Sequence, residues 1–207
     1  SKNIIKQHRI STPLYNVVKC KDINFKFLNK IKKKFNKFVL KPVSSGSSHG
    51  LKVVKSKKDL KSLFNELNNF KNKFNVKEKF IVEKYISGKE LTVSVLEKDF
   101  DFRPLEVTEI ISLNKSYDYQ AKYTKGHSKH YIPARITRKN YINCLNLALK
   151  IHRVFKCNTL SRVDFIFNTQ QNKIYFLEIN SQPGMTKISL LPEQAKFQKI
   201  KFETIIL

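Results

Sequence analysis

Apolar and polar positions recur along this 207-residue chain with two distinct periods. Ser56–Phe70 has the helical one. Leu60, Leu63, Phe64 and Leu67 repeat every three or four residues, Ser56 stands at the cap, and Asp59 three residues on completes a capping-box pattern. Asn140–Phe155 shows the same period through Tyr141, Cys144, Leu145, Ala148, Ile151, His152 and Phe155. Ser1–Arg9, stopped by Ser11-Thr12-Pro13, and the Lys/Phe-rich Asn24–Asn36 are two further helix candidates. Strands are predicted at Val17–Lys19, Phe38–Lys41, Leu51–Val54, Phe80–Tyr85, Glu90–Leu96 and Arg103–Ile111. In Glu90–Leu96, Leu91, Val93 and Val95 share one face, with Glu90 and Thr92 on the other.

Leu160–Phe167 and Ile174–Asn180 are two more strands, joined by the polar turn Asn168–Lys173. A turn centred near Gln171 sets Asp164 opposite Glu178 and Arg162 opposite Asn180, so all four share one face. Val163, Phe165, Tyr175, Leu177 and Ile179 are then expected to face the core. Four polar groups at one end of an apolar hairpin are costly unless partnered. Two carboxylates and an amide oxygen are ligands for a hard cation such as Mg²⁺. After Asn180 comes a turn at Pro183-Gly184 and a polar segment carrying Met185, Thr186 and Ser189.

Two other stretches bear on chemistry. Pro42–Gly50 is a Gly/Ser-rich loop between strands, directly after Lys41. Glycines let backbone N–H groups approach phosphate oxygens and serines add donors, though the Walker A ending is missing. Ser112–Pro133 is a long polar loop holding Tyr117, Tyr119, Tyr123 and Tyr131 among Lys115, Lys122, Lys125 and Lys129. Its length suits a lid and its aromatics argue against disorder. A lysine-bearing lid over a phosphate site and base stacking on single-stranded nucleic acid both remain open at this point.

Composition narrows the classes. The net charge is +25, but Lys, Asn, Ile and Phe dominate throughout, and these are residues with AT-rich codons. The lysines are scattered, whereas nucleic-acid readers favour arginine forks and clustered stripes. No specific nucleic-acid partner is expected, and no membrane partner, since no run reaches the ~20 apolar residues of a span. The three cysteines, Cys20, Cys144 and Cys157, show no metal or redox spacing, which fits a reducing cytoplasm.

Five motifs in order carry a resemblance: FVLKPVSSGSSHG, FIVEKYISGKELTV, YDYQAKY followed by YIPARI, LSRVDF, and LEINSQPGMTKISLLP. The chain resembles the D-alanine–D-alanine ligases of the ATP-grasp superfamily along nearly all its length. That resemblance implies an α+β ATP-grasp fold, with nucleotide between a small lobe (residues 1–88, with an N-terminal linking helix) and a large lobe (residues 89–207). It implies that Lys41 contacts ATP and that Ser47 and Ser48 lie in the loop over phosphates and substrate. Glu83 and the backbone at Ile86 would recognise adenine, Glu90 the ribose, and Lys122 the γ-phosphate. Asp164, Glu178 and Asn180 would hold two Mg²⁺ ions, with Mn²⁺ as an alternative. Arg162 and the Gly184 N–H would stabilise the charged intermediate, and Ser189 and Leu190 would take the carboxylate of the second D-alanine. Tyr123 points to D-alanine rather than a hydroxy acid as acceptor.

The implied reaction joins two D-alanines through a D-alanyl phosphate, for peptidoglycan synthesis, and a homodimer is compatible with it. The family also carries an N-terminal domain that helps bind the first D-alanine and supplies an acid paired with Ser47 and Tyr123. This chain is therefore read as a piece of a longer frame. The competing expectations are a nucleotide-binding module inactive as this chain alone, or a ligase for another acceptor.

Overall fold

The computed structural model describes residues 1–44, 50–98, 101–112, 128–186 and 188–206. The described residues divide into two compact units: Pro13–Ile86, and Ser1–Thr12 together with those from Ser87 onward.

The first unit is a four-stranded antiparallel sheet backed by helices. Strands β1 (Tyr15–Lys19), β2 (Phe38–Pro42), β3 (Lys52–Val54) and β4 (Lys79–Lys84) take the order β1-β4-β2-β3. Helix α2 (Phe25–Phe35) is capped by Asn24, whose side chain accepts from the Phe27 N–H at 2.9 Å. The capping box of α3 (Lys57–Asn65) forms in both directions between Ser56 and Asp59. The helix steps at Glu66 into a short α4 (Leu67–Lys71), where the sequence reads one helix to Phe70. The apolar stripe continues across the step, and Phe70 packs its ring against Phe74 and Phe80. Strand parity puts Phe38, Leu40, Phe80 and Val82 into the core with Leu28, Ile31, Phe35, Leu60 and Leu63. The opposite face carries Val39, Lys41, Ile81 and Glu83.

The second unit holds a five-stranded antiparallel sheet ordered β7-β6-β5-β8-β9. The strands are β5 (Lys89–Lys98), β6 (Asp101–Ser112), β7 (Ser128–Tyr131), β8 (Leu160–Asn168) and β9 (Lys173–Asn180). Against one face pack α5 (Arg138–Val154) and, through Ile5, α1 (Lys2–Gln7). On the other lie α6 (Leu190–Phe197) and α7 (Glu203–Ile206), through Leu191, Ala195 and Ile205 against Leu96 and Leu105. The N-terminal segment is tied to this unit along β9: Phe176 donates its N–H to the Ser11 carbonyl at 2.8 Å, and Thr12 Oγ1 donates to the Phe176 carbonyl at 3.0 Å. His152 lies in the core, its Nδ1 at 2.8 Å from Ser161 Oγ, and burial pushes its pKa down.

Two details differ from the pattern-based reading. Strand β7 forms inside the stretch read as loop, because an edge strand of Ser, Lys, His and Tyr carries no apolar alternation. In the β8–β9 hairpin the expected pairs Arg162–Asn180 and Asp164–Glu178 are present, but a bulge follows. Phe165 pairs with Phe176, and Leu177 is the extra residue. One extra residue reverses facing parity beyond it. Ile174 and Phe176 are therefore buried, while Tyr175 and Leu177, expected in the core, are only half-buried.

The bulge makes a sharp prediction. Phe176→Ala should destabilise the protein by about 3–5 kcal/mol, whereas Leu177→Ala should cost about 1 kcal/mol or less. Urea midpoints of the two variants check this, and equal losses would mean that the strand pairs without the bulge.

Candidate active site

The polar end of the β8–β9 hairpin is built by cross-strand register. Asp164 is directly opposite Glu178 on one side and Thr92 on the other, and Arg162 lies opposite Asn180 and Ser94. Directly opposed residues share a face, so six polar side chains from three strands form one patch. Its centre is Asp164, 8 % exposed. The Arg162 guanidinium grips it in a fork, Nε to Oδ1 and a terminal N–H to Oδ2, both at 3.0 Å. Thr92 Oγ1 donates to Oδ1 at 2.6 Å from a fully buried position. Bidentate, charge-assisted bonds of this kind fix direction as well as charge. Glu178 is exposed beside this pair. Asn180 Oδ1 accepts from the Gln182 N–H at 3.0 Å, which orients its amide at the strand end.

Two carboxylates and an amide oxygen on adjacent register positions are hard donors, and they suit Mg²⁺ or Mn²⁺ better than a softer ion. The donor types suit such an ion: Glu178 faces solvent, while both Asp164 oxygens already accept hydrogen bonds, from Arg162 and Thr92.

The turn after Asn180 closes on itself. Ser189 Oγ accepts the Thr186 N–H at 3.1 Å and lies 2.8 Å from Thr186 Oγ1, while Ser189 N–H returns to the Thr186 carbonyl at 2.9 Å. A Cβ on Gly184 would come within 2.9 Å of Ser189 Oγ, so a side chain there would push on this knot. Ser189 is the residue before α6 and Leu190 its first. The structure thus brings Gly184, Ser189 and Leu190 together at the start of one helix.

In the first unit, Lys41 on β2 and Glu83 on β4 share the non-core face and form an ion pair at 3.0 Å. Glu83 is buried and Lys41 nearly so. Half-buried Val39 and Ile81 flank them, leaving an apolar surface with one embedded ion pair. Ile86 closes this unit, half-buried, after β4. Glu90 lies on β5 of the second unit, half-buried, opposite Ile110 and Ile166. Gly88 just before it is pressed against β8, where a Cβ would meet the Phe167 carbonyl oxygen at 2.2 Å. Ser47, Ser48, Lys122 and Tyr123 lie outside the described residues.

Residues 4–207 match the family described as D-ala D-ala ligase C-terminus. The chain belongs to this family. It is 40% identical over all 207 residues to a D-alanine–D-alanine ligase of Wolbachia pipientis wMel, and 40% identical over 171 residues (82% of the chain) to one from Rickettsia canadensis. The chain spans 61% of the Wolbachia relative and 45% of the Rickettsia one. Among solved structures, the VanG D-Ala:D-Ser ligase of Enterococcus faecalis superposes with a TM-score of 0.77 at 28% identity, covering 98% of this chain and 57% of its own. The Bacillus anthracis D-alanine–D-alanine ligase complexed with ATP gives 0.71 at 26% identity, covering 99% and 62%. The fold of this D-Ala–D-Ala ligase C-terminal chain is the α+β ATP-grasp architecture.

Sequence reasoning missed Thr92, which looks like any strand threonine until β5 is placed beside β8. It also gave Glu109 no role. Glu109 is a second buried carboxylate, on the α5 side of the sheet and away from the patch. Arg135 bonds it through Nε and a terminal N–H, both at 3.0 Å, and Lys89 lies 3.2 Å away. Burial pushes the Glu109 pKa up, but the Arg135 and Lys89 hydrogen bonds outweigh it and hold the carboxyl below its ordinary range. A depressed folded pKa contributes stability above the unfolded value, about 4.3, and loses it as pH falls through the folded one. Glu109→Gln should therefore be less stable than the parent near neutrality and should flatten the acid limb below about pH 4.3. Urea midpoints measured against pH test this; an unchanged acid limb would contradict it.

Proposed function

We propose that this chain is the ATP- and metal-binding part of a D-alanine–D-alanine ligase, joining two D-alanines through a D-alanyl phosphate. The supporting observation is the hairpin-end patch: Arg162, Asp164, Glu178 and Asn180 in register, in a chain of this family.

In the first step the carboxylate of one D-alanine attacks the γ-phosphorus of ATP, and ADP leaves with the electrons of the broken P–O bond. Phosphoryl transfer depends chiefly on positioning and charge neutralisation. Lys41 takes phosphate charge, held in place by Glu83, and Val39 and Ile81 offer an apolar surface to the flat base beside that carboxylate. Ile86 meets the base through its backbone, Glu90 the ribose hydroxyls, and Lys122 the γ-phosphate; Ser47 and Ser48 donate to phosphate and substrate. Bound to Asp164, Glu178 and Asn180, Mg²⁺ or Mn²⁺ would neutralise charge on the transferring phosphoryl group.

In the second step the amine of the acceptor D-alanine attacks the acyl carbon. The oxyanion collapses, the C–O bond to phosphate breaks, and the departing inorganic phosphate takes up the proton that the amine gives up. Arg162 and the Gly184 N–H stabilise that oxyanion. Ser189 and Leu190 hold the acceptor carboxylate at the start of α6, and Tyr123 acts from the lid. The product serves peptidoglycan synthesis, and the reaction runs in the cytoplasm, where ATP is supplied and thiols stay reduced. Cys20, Cys144 and Cys157 are free, and among the described residues no helix is long and apolar enough to cross a membrane.

Calorimetric titration with Mg·ATP tests the first half. The 207-residue chain should bind it, and Asp164→Asn or Glu178→Gln should weaken binding at least tenfold; no binding, or no loss in either variant, would overturn the metal–nucleotide site. D-alanine-dependent phosphate release from ATP tests the second half. Binding without such release would instead favour a nucleotide-binding module.

A further inference from the structure

Outside the patch, Gln194 lies in the second turn of α6, 0% exposed, and makes three buried hydrogen bonds. Its Oε1 accepts the Ser94 N–H at 2.9 Å. Its Nε2 donates to the Thr92 carbonyl at 3.2 Å and to Thr108 Oγ1 at 2.9 Å. The site of these bonds is not arbitrary. The register of β5 against β6 shifts between Val93 and Val95: Val93 pairs with Val107 and Val95 with Pro104, so two β6 residues, Leu105 and Glu106, stand against Ser94. At this bulge the Gln194 amide bonds the β5 backbone at Thr92 and Ser94 and reaches β6 through Thr108.

The same two strand residues touch the patch. Thr92 carries the hydroxyl bonded to Asp164, and Ser94 lies opposite Arg162. At the other end, Gln194 is five residues past Ser189, about 7.5 Å along a helix. One buried amide therefore links the strand that supports Asp164 to the helix that begins with the proposed acceptor-binding residues. Apolar contacts alone, Leu191 and Ala195 against Leu96 and Leu105, would let α6 slide or rotate over the sheet. A buried amide cannot slide without leaving its partners unsatisfied, so it fixes one register.

We infer that Gln194 is a positioning residue: it sets the placement of Ser189 and Leu190 relative to the Arg162–Asp164 pair, and so governs how the acceptor amino acid is held. This inference rests on the function proposed above. Gln194 touches no substrate and acts only through α6.

The test is Gln194→Met, close to isosteric but without the three hydrogen bonds, with Gln194→Leu as a second variant should the first fold poorly. Two measurements are made on the 207-residue chain. Hydrogen exchange should show lost protection along α6 from Glu193 to Phe197, at least tenfold faster, with α5 unchanged. In the ligase assay KM for the acceptor D-alanine should rise about tenfold or more, with KM for ATP changed less than twofold. Unchanged exchange in α6 would overturn the inference, as would parallel loss of all kinetic parameters with a falling melting temperature. No Mg·ATP binding by the parent chain would overturn the function proposed above, whereas unchanged α6 exchange in a chain that binds Mg·ATP would overturn the role of Gln194 alone.

Discussion

A carboxylate on the covered face of a sheet must be compensated, and the second unit is arranged around one such group. Asp164 is nearly buried, and its charge is balanced by the Arg162 fork and the Thr92 hydroxyl. Removing one partner of a buried pair costs more than the pair itself contributes. The strand order places both partners within reach: β8 carries Arg162 two residues from Asp164, and β5 runs alongside with Thr92 in register. Glu178 and Asn180 then gain a fixed neighbour rather than a mobile one, as the proposed metal site would require.

The same sheet separates structural from chemical work by face. On the α5 side lie Val93, Val107, Val163, Phe165 and Phe176, together with Glu109 locked between Arg135 and Lys89. On the α6 side lie the polar patch and the smaller cluster around Leu191. The period of two makes this possible, since neighbouring residues on one strand serve opposite faces. The bulge at Leu177 lets β9 do both: Phe176 reaches the core, and Glu178, only two residues on, still meets Asp164. Without the extra residue, Phe176 and Glu178 would share a face and one of the two contacts would be lost. A corresponding division marks the first unit, where Lys41 and Glu83 share the face opposite Phe38, Leu40 and Val82.

Much of this was legible from residue order. The capping box at Ser56 and Asp59, the buried stripe of α5, and the pairing of Asp164 with Glu178 and Arg162 with Asn180 follow from local spacing. Local spacing is what capping and strand parity depend on. The α+β ATP-grasp fold followed from five motifs in order and agrees with the matched family and structures. Strand β7 was not legible, because an edge strand owes its existence to a neighbour rather than to its own pattern. The core placement of Tyr175 and Leu177 was wrong because a bulge depends on what both faces of the hairpin must pack.

The chain by itself thus determined most of its elements, the hairpin register at the polar end and the polar side chains gathered there. Tertiary structure alone decided that Thr92 supports Asp164, that Glu109 is buried and doubly paired, and that Gln194 on α6 bonds to β5 and β6. These contacts join residues 20 to 102 positions apart. No local pattern encodes such pairs, since a buried glutamine and a solvated one look alike until the packing around them is known.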